Sequence, residues 1–262
     1  MNMSKNVAHK AIYKPEGAAR EYSVWGCNLY KGCSHQCSYC YLRRGPMGKQ
    51  LGGCVPEIEQ KVGGTEEKAL RRFKMEVDAY QDQFIADGGI FFSFSTDPML
   101  RQTIDLTSMC AIYAMSKGIP VYILTKAAWW VTDNFYIKQF FPYRELLHVG
   151  FTLTGHDELE PLAASNVRRQ SAMVMLKAMH FDTFASMEPV IDFESTLAII
   201  ETLKDSCPEF RIGLLSPYSP KRYDWNQCHR FIDRVAFLSS QHGFRVIWKE
   251  SINRFYREQK PK

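Results

Sequence analysis

The sequence of 262 residues lacks any long hydrophobic run. Its N-terminus is polar, no apolar stretch approaches the roughly 18 residues that a membrane span requires, and no signal peptide is predicted. Eight cysteines are too few for the disulfide scaffold of a small secreted protein. We therefore expect a cytoplasmic protein with no membrane association.

The composition predicts one large α/β domain. Hydrophobic residues make up 45% of the chain, enough for a substantial core, and single-domain α/β barrels of this length are ordinary. We expect a single domain over residues 1–262, with an N-terminal extension over residues 1–20 and a C-terminal tail over residues 250–262.

Three cysteines stand close together at Cys33, Cys37 and Cys40, and Tyr39 precedes the last of them. Thiolates are the protein ligands of iron–sulfur clusters. A [4Fe-4S] cluster has four irons, so three thiolates leave one iron open to a small molecule. The spacing therefore predicts a metal site for chemistry on a ligand, and not a sealed electron carrier.

A structural zinc site is the main alternative for these cysteines. Zinc sites generally combine two ligand couples across a longer loop, and the chain has no second C-x2-C or H-x3-H couple. His35 lies inside the loop, where it would crowd Cys33 and Cys37. The spacing favours the cluster, with zinc or plain core cysteines as the alternatives.

The other cysteines have different surroundings. Cys110 and Cys228 fall at apolar positions of helical patterns, so we predict that they are buried as small hydrophobic residues. Cys54 follows a glycine-rich loop over residues 45–53, soon after the three cysteines. A loop position near the site makes Cys54 a candidate catalytic residue.

Strand-like and helix-like segments alternate along the rest of the chain, which favours βα units around a parallel sheet. Helical periodicity predicts two amphipathic helices, through residues 70–84 and residues 228–238. The predicted strands are Ile90 to Phe94, Val121 to Leu124, Leu147 to Leu153, Thr183 to Met187, Arg211 to Leu215 and Phe244 to Trp248.

With one more strand leading into the cysteine loop, this count predicts a partial (β/α)6 TIM-type barrel with a late extra strand. Such barrels carry their chemistry at the C-terminal ends of the strands. Polar residues do follow the predicted strands there. They are Ser93, Ser95, Thr96, Asp97, Thr125, Lys126, Thr152, Thr154, Ser186 and Glu188.

The cysteine loop and its flanks, from Asn28 to Arg43, resemble the signature of the radical S-adenosylmethionine (SAM) enzymes, and within them the branch of spore photoproduct lyase. The resemblance implies a [4Fe-4S] cluster on Cys33, Cys37 and Cys40, whose open iron binds the amino and carboxylate groups of SAM. It also implies reductive cleavage of SAM to methionine and a 5′-deoxyadenosyl radical, which takes a hydrogen atom from the substrate. A reducing partner such as flavodoxin or ferredoxin would supply the electron.

The resemblance also suggests cofactor contacts. Many radical SAM enzymes end the second strand in Gly-Gly-Glu, and here Ser95-Thr96-Asp97 occupies that place, as in the spore photoproduct lyase branch. Lys126 falls where that branch contacts the SAM carboxylate, and Thr152 or Thr154 where it contacts the ribose; Tyr39 is a further cofactor candidate. Alternatively, Asp97 with Pro98 fits a helix N-cap.

One departure from the branch concerns hydrogen return. In spore photoproduct lyase a cysteine just before the second-strand serine returns the hydrogen atom, whereas this chain has Phe94 or Phe92 there. Lyase activity itself is therefore in question. The remaining catalytic candidates are Tyr218 and Glu188, and Glu188 has a structural pair with an arginine as its alternative.

Charge gives a mild indication of substrate. The net charge is +5, which favours an anionic partner. We expect Arg43-Arg44 and Lys221-Arg222 on the rim of the site, with Tyr218, Tyr223 and Trp225 as stacking surfaces for a nucleic acid.

Three hypotheses follow. The first is a radical SAM enzyme acting on a nucleobase or nucleotide, including a base flipped out of DNA. The second is a radical SAM enzyme acting on a peptide or small metabolite. The third is a non-catalytic iron–sulfur or zinc-binding module. No cysteine cluster for auxiliary iron–sulfur sites follows Cys40, which favours the first over the second.

Overall fold

A sheet of eight strands dominates the computed structural model, which describes residues 8, 10–43, 45–215 and 219–259. The strands of the described residues are β1 (Ile12–Tyr13), β2 (Trp25–Cys27), β3 (Tyr30–Lys31), β4 (Glu57–Ile58), β5 (Ile90–Phe92), β6 (Val121–Thr125), β7 (Leu147–Thr152), β8 (Asp182–Val190), β9 (Glu209–Leu214) and β10 (Arg245–Trp248). Strands β3 and β4 form a separate antiparallel pair.

The large sheet is parallel from β2 to β10, in the order β2-β5-β6-β7-β8-β9-β10, and β1 pairs antiparallel with β2. Six parallel strands with crossover helices, β2 and β5 to β9, are followed by the late strand β10. The partial (β/α)6 barrel with an extra strand is therefore confirmed, and β1 and β10 are the edges of the sheet.

The helices of the described residues are α1 (Gly45–Leu51), α2 (Glu66–Ala86), α3 (Ile104–Ser116), α4 (Asn134–Phe140), α5 (Asn166–Ala178), α6 (Phe193–Leu203), α7 (Trp225–His242) and α8 (Glu250–Glu258). Short 3-10 turns lie between them, including Gly17–Glu21, Trp129–Thr132 and Pro220–Arg222. No helix in the described part of the chain is long and apolar enough to cross a membrane.

Local sequence explains where the long helices begin and what they bury. Thr65 caps α2 by accepting a hydrogen bond from the backbone N–H of Lys68, and Asp224 caps α7 in the same way. The two helices bury apolar stripes against the sheet. These stripes are Ala69, Phe73, Val77 and Phe84 in α2, and Cys228, Phe231, Val235 and Leu238 in α7.

The six strand predictions are confirmed, with ends that differ by up to three residues. The strand predicted to end at Phe94 ends at Phe92, because the next residues turn toward the cysteine loop: the backbone N–H of Phe94 donates to the Asn28 side chain at 2.9 Å. Strand β8 continues to Val190, with an irregular register against β9 between Met187 and Val190. Cys110 and Cys228 are buried, as predicted.

The N-terminal segment reaches the far edge of the sheet. The backbone N–H at Glu250, the first residue of α8, donates to the Glu21 carboxylate at 2.9 Å. Residues 250–258 of the expected tail form helix α8, whose Ile252 and Phe255 are buried. The segment Gly17–Glu21 thus runs across the open side of the barrel, between β2 and β10.

Candidate functional site

The cysteine loop follows β3 and is hydrogen-bonded to the end of α1 and the residues just after it. The backbone N–H groups of Gly32 and Cys33 donate to the carbonyls of Leu51 and Gly53 at 2.9 and 3.0 Å. Gly32 has a φ of +81°, and a side chain there would place its Cβ 2.6 Å from the Val55 carbonyl. Glycine is needed at this close approach, which also brings the exposed Cys54 beside the loop.

The three cysteines sit at the inner side of this loop. Cys37 is buried, whereas Cys33 and Cys40 are half-buried. Burial raises the pKa of Cys33 to about 12, with the nearby Asp97 charge adding to the effect, and burial also raises the pKa of Cys37. Both thiols are therefore protonated at neutral pH until a metal displaces the proton.

Asp97 ties the cysteine loop to the sheet. One carboxylate oxygen accepts from the Thr125 hydroxyl at 2.6 Å and the Met99 backbone N–H at 2.9 Å; the other accepts from His35 at 2.9 Å and the Lys126 backbone N–H at 2.7 Å. We name these residues the Asp97 network. Burial opposes ionisation, but the His35 charge and the hydrogen bonds outweigh it and lower the pKa of Asp97 to about 2.

The acceptor positions of Asp97 are taken by donors of the protein, and its predicted contact with a cofactor stays a prediction. The N-cap alternative for Asp97 is wrong, because α3 begins only at Ile104, after Thr103.

His35 is buried and uses both ring nitrogens on the protein. Its Nε2 lies 2.9 Å from Asp97, and its Nδ1 lies 3.1 Å from the Leu162 carbonyl. The ring is thus committed to holding the loop and is not a fourth ligand. In the described residues, no three His, Cys, Asp or Glu side chains converge on a single metal position.

A second buried carboxylate, Glu160, organises the other side of the loop. The Tyr39 hydroxyl and the Arg169 guanidinium both donate to it, and Lys126 Nζ lies 3.9 Å from its Oε1. Arg169 also donates to the Thr152 carbonyl at the end of β7. We name these residues the Glu160 network.

The charges around Glu160 decide its ionisation. Burial alone would raise the pKa of Glu160, but the charges of Lys126 and Arg169 outweigh it and lower the pKa below its usual value. Burial and the Glu160 charge raise the pKa of Tyr39. The network therefore holds a carboxylate with two cations, and Lys126 Nζ lies 5.5 Å from the centre of the Tyr39 ring.

The predicted hydroxyls divide into two groups. Ser95 donates to the Tyr30 carbonyl, and the Thr154 hydroxyl accepts from the His156 backbone N–H at 3.2 Å, so both have structural partners. Thr96 is buried, and its hydroxyl has no hydrogen-bond partner among the described residues. Thr152 is buried at the end of β7.

These residues fit a cluster with SAM beside it. The loop offers three thiols, the donor type of a [4Fe-4S] site. Lys126 brings an ammonium that lies 3.9 Å from Glu160, and the Thr96 hydroxyl has no hydrogen-bond partner among the described residues. A buried polar atom without a partner costs free energy, so a ligand at Thr96 would relieve that cost.

The barrel lumen contains a further polar group of residues. The Tyr22 hydroxyl donates to Glu188 Oε2 at 2.6 Å and lies 2.8 Å from the Ser186 hydroxyl. Lys249 Nζ lies 3.3 Å from the centre of the Tyr22 ring. We name Tyr22, Ser186, Glu188 and Lys249 the lumen cluster. The arginine pairing expected as the alternative for Glu188 is wrong, since its partners are Tyr22 and the Lys249 charge.

The lumen cluster faces the cysteine loop across the barrel. Tyr41 follows Cys40 directly, and the charges of Cys40 and Glu188 both act on its hydroxyl. The Tyr41 hydroxyl donates to the Phe94 carbonyl, and the Phe94 ring stacks on Phe91 at 4.7 Å. Glu188 therefore lies near Tyr41, the residue that follows Cys40.

The rim differs from its prediction. Lys221 and Arg222 are exposed. The expectation of aromatic stacking beside them is wrong: the Tyr223 hydroxyl donates to the Val190 carbonyl at 2.7 Å, and Trp225 stacks on Tyr256 and donates to its carbonyl at 3.0 Å. Both aromatic rings pack against the core.

The remaining candidates are placed only in part. Arg43 is exposed and donates to the Gln36 carbonyl at 3.0 Å, back onto the cysteine loop. Arg44 and the catalytic candidate Tyr218 lie outside the described residues. Cys54 is exposed beside the loop, and its catalytic role stays a prediction.

Sequence reasoning missed five residues of these networks. They are Tyr22, His35 as a positioning residue, Glu160, Arg169 and Lys249. Glu160 and Arg169 had a usable signal, because both follow the fourth barrel strand at the active edge. Tyr22 and Lys249 had none, since only the crossing of the N-terminal segment brings them together.

No family sequence model matches the chain, and no curated protein matches it in sequence. Solved structures do match. Spore photoproduct lyase complexed with dinucleoside spore photoproduct has a TM-score of 0.60 at 12% identity, over 90% of this chain and 80% of that one. A variant of that lyase with bound AdoMet and the dinucleoside has a TM-score of 0.61 at 11% identity, over 88% and 78%.

A third structure, Streptococcus suis SuiB bound to S-adenosylmethionine, has a TM-score of 0.54 at 12% identity, over 84% of this chain and 48% of that one. The expected likeness to spore photoproduct lyase is confirmed, and at such low identity what is shared is the fold. This chain thus has the barrel of enzymes whose structures contain SAM.

Proposed function

We propose that this protein is a radical SAM enzyme that acts on a nucleobase or nucleotide, free or within DNA. One observation carries the proposal: a loop with three cysteines lies at the C-terminal edge of an open parallel barrel, next to an unpartnered Thr96 hydroxyl and the Lys126 ammonium. That edge is where barrels of this class bind their ligands.

Cys33, Cys37 and Cys40 would hold a [4Fe-4S] cluster, which when reduced supplies the electron for cleavage of SAM to methionine and a 5′-deoxyadenosyl radical. The Asp97 network fixes the loop from below, because His35 is bound by both nitrogens. Fixing the ligand positions is the protein's main task in cofactor chemistry.

Lys126 and Thr96 would orient SAM. Lys126 is held through its backbone by Asp97, and its ammonium lies 3.9 Å from Glu160 at the loop. An ammonium in this position can donate to the SAM carboxylate, and Thr96 can donate to or accept from the same ligand. Thr152, Thr154 and Tyr39 remain proposed cofactor neighbours, with Tyr39 acting through Glu160.

The nucleotide part of the proposal has two supports. Structures of similar fold contain a dinucleoside spore photoproduct, and the exposed pair Lys221 and Arg222 follows the sixth barrel strand. Cys54 and Glu188 are proposed to face the substrate. We further propose a flavodoxin or ferredoxin as electron donor and the cytoplasm as the working compartment, because cluster thiolates need reducing conditions.

SAM binding by anaerobically reconstituted protein tests the cofactor part. Lys126→Ala should keep iron and sulfide content but bind SAM about tenfold more weakly or worse, since a charge-assisted hydrogen bond is lost. Lys177→Ala, on the exposed side of α5, is the matched control and should bind SAM like the wild type. Equal SAM affinity in both variants would remove Lys126 from the site.

A further inference from the structure

The Tyr22 ring fills a slot in the barrel lumen that is built for a flat ring with a polar edge. Phe91 lies 5.2 Å from its centre on one side, and Lys249 Nζ lies 3.3 Å from its centre over the face. The hydroxyl at the ring's edge meets Glu188 and Ser186. Aromatic walls, a cation over the ring and a carboxylate at its edge would suit a nucleobase equally well.

We propose that this slot is the base-binding subsite of the substrate, and that Tyr22 is an internal occupant which the incoming base displaces. The inference rests on the proposed function and names where its substrate binds.

Lys249 is the observation that points to a missing ligand. Its side chain is fully buried, yet its ammonium has no hydrogen-bond acceptor among the described residues. A buried ammonium without an acceptor is costly, and the Tyr22 ring offers it only a π face. A ring carbonyl in place of the phenol would give Lys249 the acceptor that it lacks.

Gly213 shows that the slot is arranged around Glu188 and Lys249. A Cβ at Gly213 would lie 3.0 Å from the Glu188 carboxyl group and 3.1 Å from Lys249 Cβ. Gly213 lies in β9, and the absence of a side chain there lets Glu188 of β8 and Lys249, which follows β10, reach the same part of the lumen from either side of β9.

Tyr22 follows a chain segment that makes few buried contacts with the rest of the protein. The turn Gly17–Glu21 has no buried residue, and Tyr22 itself is only half-buried. Outside the slot, the hydrogen bond from Glu250 to Glu21 is an exposed contact. Displacing Tyr22 therefore opens the slot without unfolding a strand of the barrel.

Glu188 and Lys249, at the polar edge of the slot, should select bases by their hydrogen-bonding groups. Glu188 accepts a hydrogen bond from Tyr22, so it can accept one from a ring N–H, while Lys249 donates to an adjacent carbonyl. A ring N–H beside a carbonyl occurs in thymine, uracil and guanine. The slot should thus bind keto bases and reject one whose ring nitrogen is methylated.

Thymidine and 3-methylthymidine are the probes, titrated into the reconstituted holoprotein by equilibrium dialysis. Tyr22→Ala empties the slot and should bind thymidine at least about tenfold more tightly than the wild type. In the wild type thymidine can bind only to the minor population in which Tyr22 has left the slot, whereas in the variant the slot is always open. Tyr22→Phe keeps the ring but loses the bond to Glu188, so its affinity should lie between the two. 3-Methylthymidine should show no comparable gain.

Two variants control the result. Tyr113→Ala removes a tyrosine whose hydroxyl likewise bonds a carboxylate, Asp78 at 2.7 Å, but on the outer helices, and it should bind thymidine like the wild type. Glu188→Ala combined with Tyr22→Ala removes the acceptor for the ring N–H and should lose the gained affinity.

The proposal is overturned if Tyr22→Ala and Tyr22→Phe, with wild-type iron content, bind thymidine no better than the wild type. It is equally overturned if 3-methylthymidine gains as much affinity as thymidine. SAM cleavage measured on the same samples separates the two levels: cleavage without thymidine binding refutes the slot alone, and no cleavage refutes the proposed function.

Discussion

The two carboxylate networks beside the cysteine loop and the lumen cluster differ in how completely their charges are satisfied. Asp97 accepts four hydrogen bonds, and Glu160 has a tyrosine and two cations around it. Lys249, in the lumen cluster, is buried as deeply as these two carboxylates, but its ammonium has no acceptor among the described residues. Removing one partner in the first region would leave a buried charge uncompensated, whereas Lys249 is already buried without an acceptor among the described residues.

The comparison separates residues that hold the site from residues that await a ligand. The Asp97 and Glu160 carboxylates have their partners within the protein and fix geometry, although Arg169 Nε beside Glu160 has no hydrogen-bond partner among the described residues. A buried polar group without a hydrogen-bond partner is typical of a position where a bound ligand supplies that partner.

The largest effect should come from the cysteine loop. Replacing Cys33, Cys37 or Cys40 singly by alanine should abolish a stable [4Fe-4S] absorption signal after anaerobic reconstitution, because three protein thiolates are the proposed ligand set. Cys228→Ala, in the buried stripe of α7, is the control and should keep about four irons per chain. Zinc bound in place of iron would contradict the assignment.

Next in size is the loss of a satisfied carboxylate. Glu160→Gln leaves the buried Arg169 guanidinium with only the more distant Asp157, at 3.7 Å, as counter-charge, and should lower the free energy of unfolding by about 3 kcal/mol. Glu201→Gln removes the partner of Arg234 on the surface and should cost less than about 1 kcal/mol. Equal losses in thermal or urea unfolding would show that the Glu160 network does not organise the site.

Lys249→Met, unlike Glu160→Gln, should not lower the free energy of unfolding. The Lys249 ammonium has no acceptor among the described residues, so relief of its burial should outweigh the lost attraction to Glu188; at similar side-chain volume, stability should stay unchanged or rise by about 1 kcal/mol. A loss as large as that of Glu160→Gln would mean that Lys249 is a structural residue, and the distinction between the two regions would fail.

The same variant predicts a pH dependence. Burial lowers the pKa of Lys249 from 10.5 to about 8, with Arg211 adding to the shift and Glu188, Glu21 and Glu209 opposing it. Between about pH 8 and pH 10.5, Lys249 is therefore mostly protonated in the unfolded chain and mostly neutral in the folded protein. The wild type should gain stability relative to Lys249→Met as pH rises through this window, with a slope of up to about 1.4 kcal/mol per pH unit.

Taking the difference between the two proteins removes the titration of the cysteines and tyrosines, which both share. A difference that is flat from pH 7 to pH 10 would show that Lys249 ionises like an exposed lysine.

The smallest effect concerns the rim. If Lys221 and Arg222 contact phosphates, replacing both by alanine should reduce the slope of log affinity for an oligonucleotide against log salt by about 1.5. Tyr223→Phe should instead lower stability, because the Tyr223 hydroxyl bonds both Val190 and Leu215. An unchanged salt slope would place nucleic acid elsewhere on the protein.

Local pattern was enough to predict the barrel. Apolar runs predicted β5 to β10, and helical apolar patterns predicted the buried stripes of α2 and α7. The cysteine spacing located the site, and the rule of strand ends located Lys126, Thr96 and Glu188 around it.

The sequence could not predict how the polar residues are divided among partners. Asp97 and Lys126 are 29 positions apart, and Tyr22 and Glu188 are 166 apart, so their pairing depends on the final packing. Tyr223 and Trp225 were mispredicted for the same reason: a surface aromatic and a packed one look alike until α8 is placed beside them.

Reductive cleavage of SAM by the reconstituted protein tests the central claim most directly. With dithionite and SAM under anaerobic conditions, the wild type should release 5′-deoxyadenosine and methionine in equal amounts, slowly even without substrate, and Cys37→Ala should release neither. A protein that holds four irons and binds SAM, yet forms no 5′-deoxyadenosine above a cluster-free control, would contradict the account.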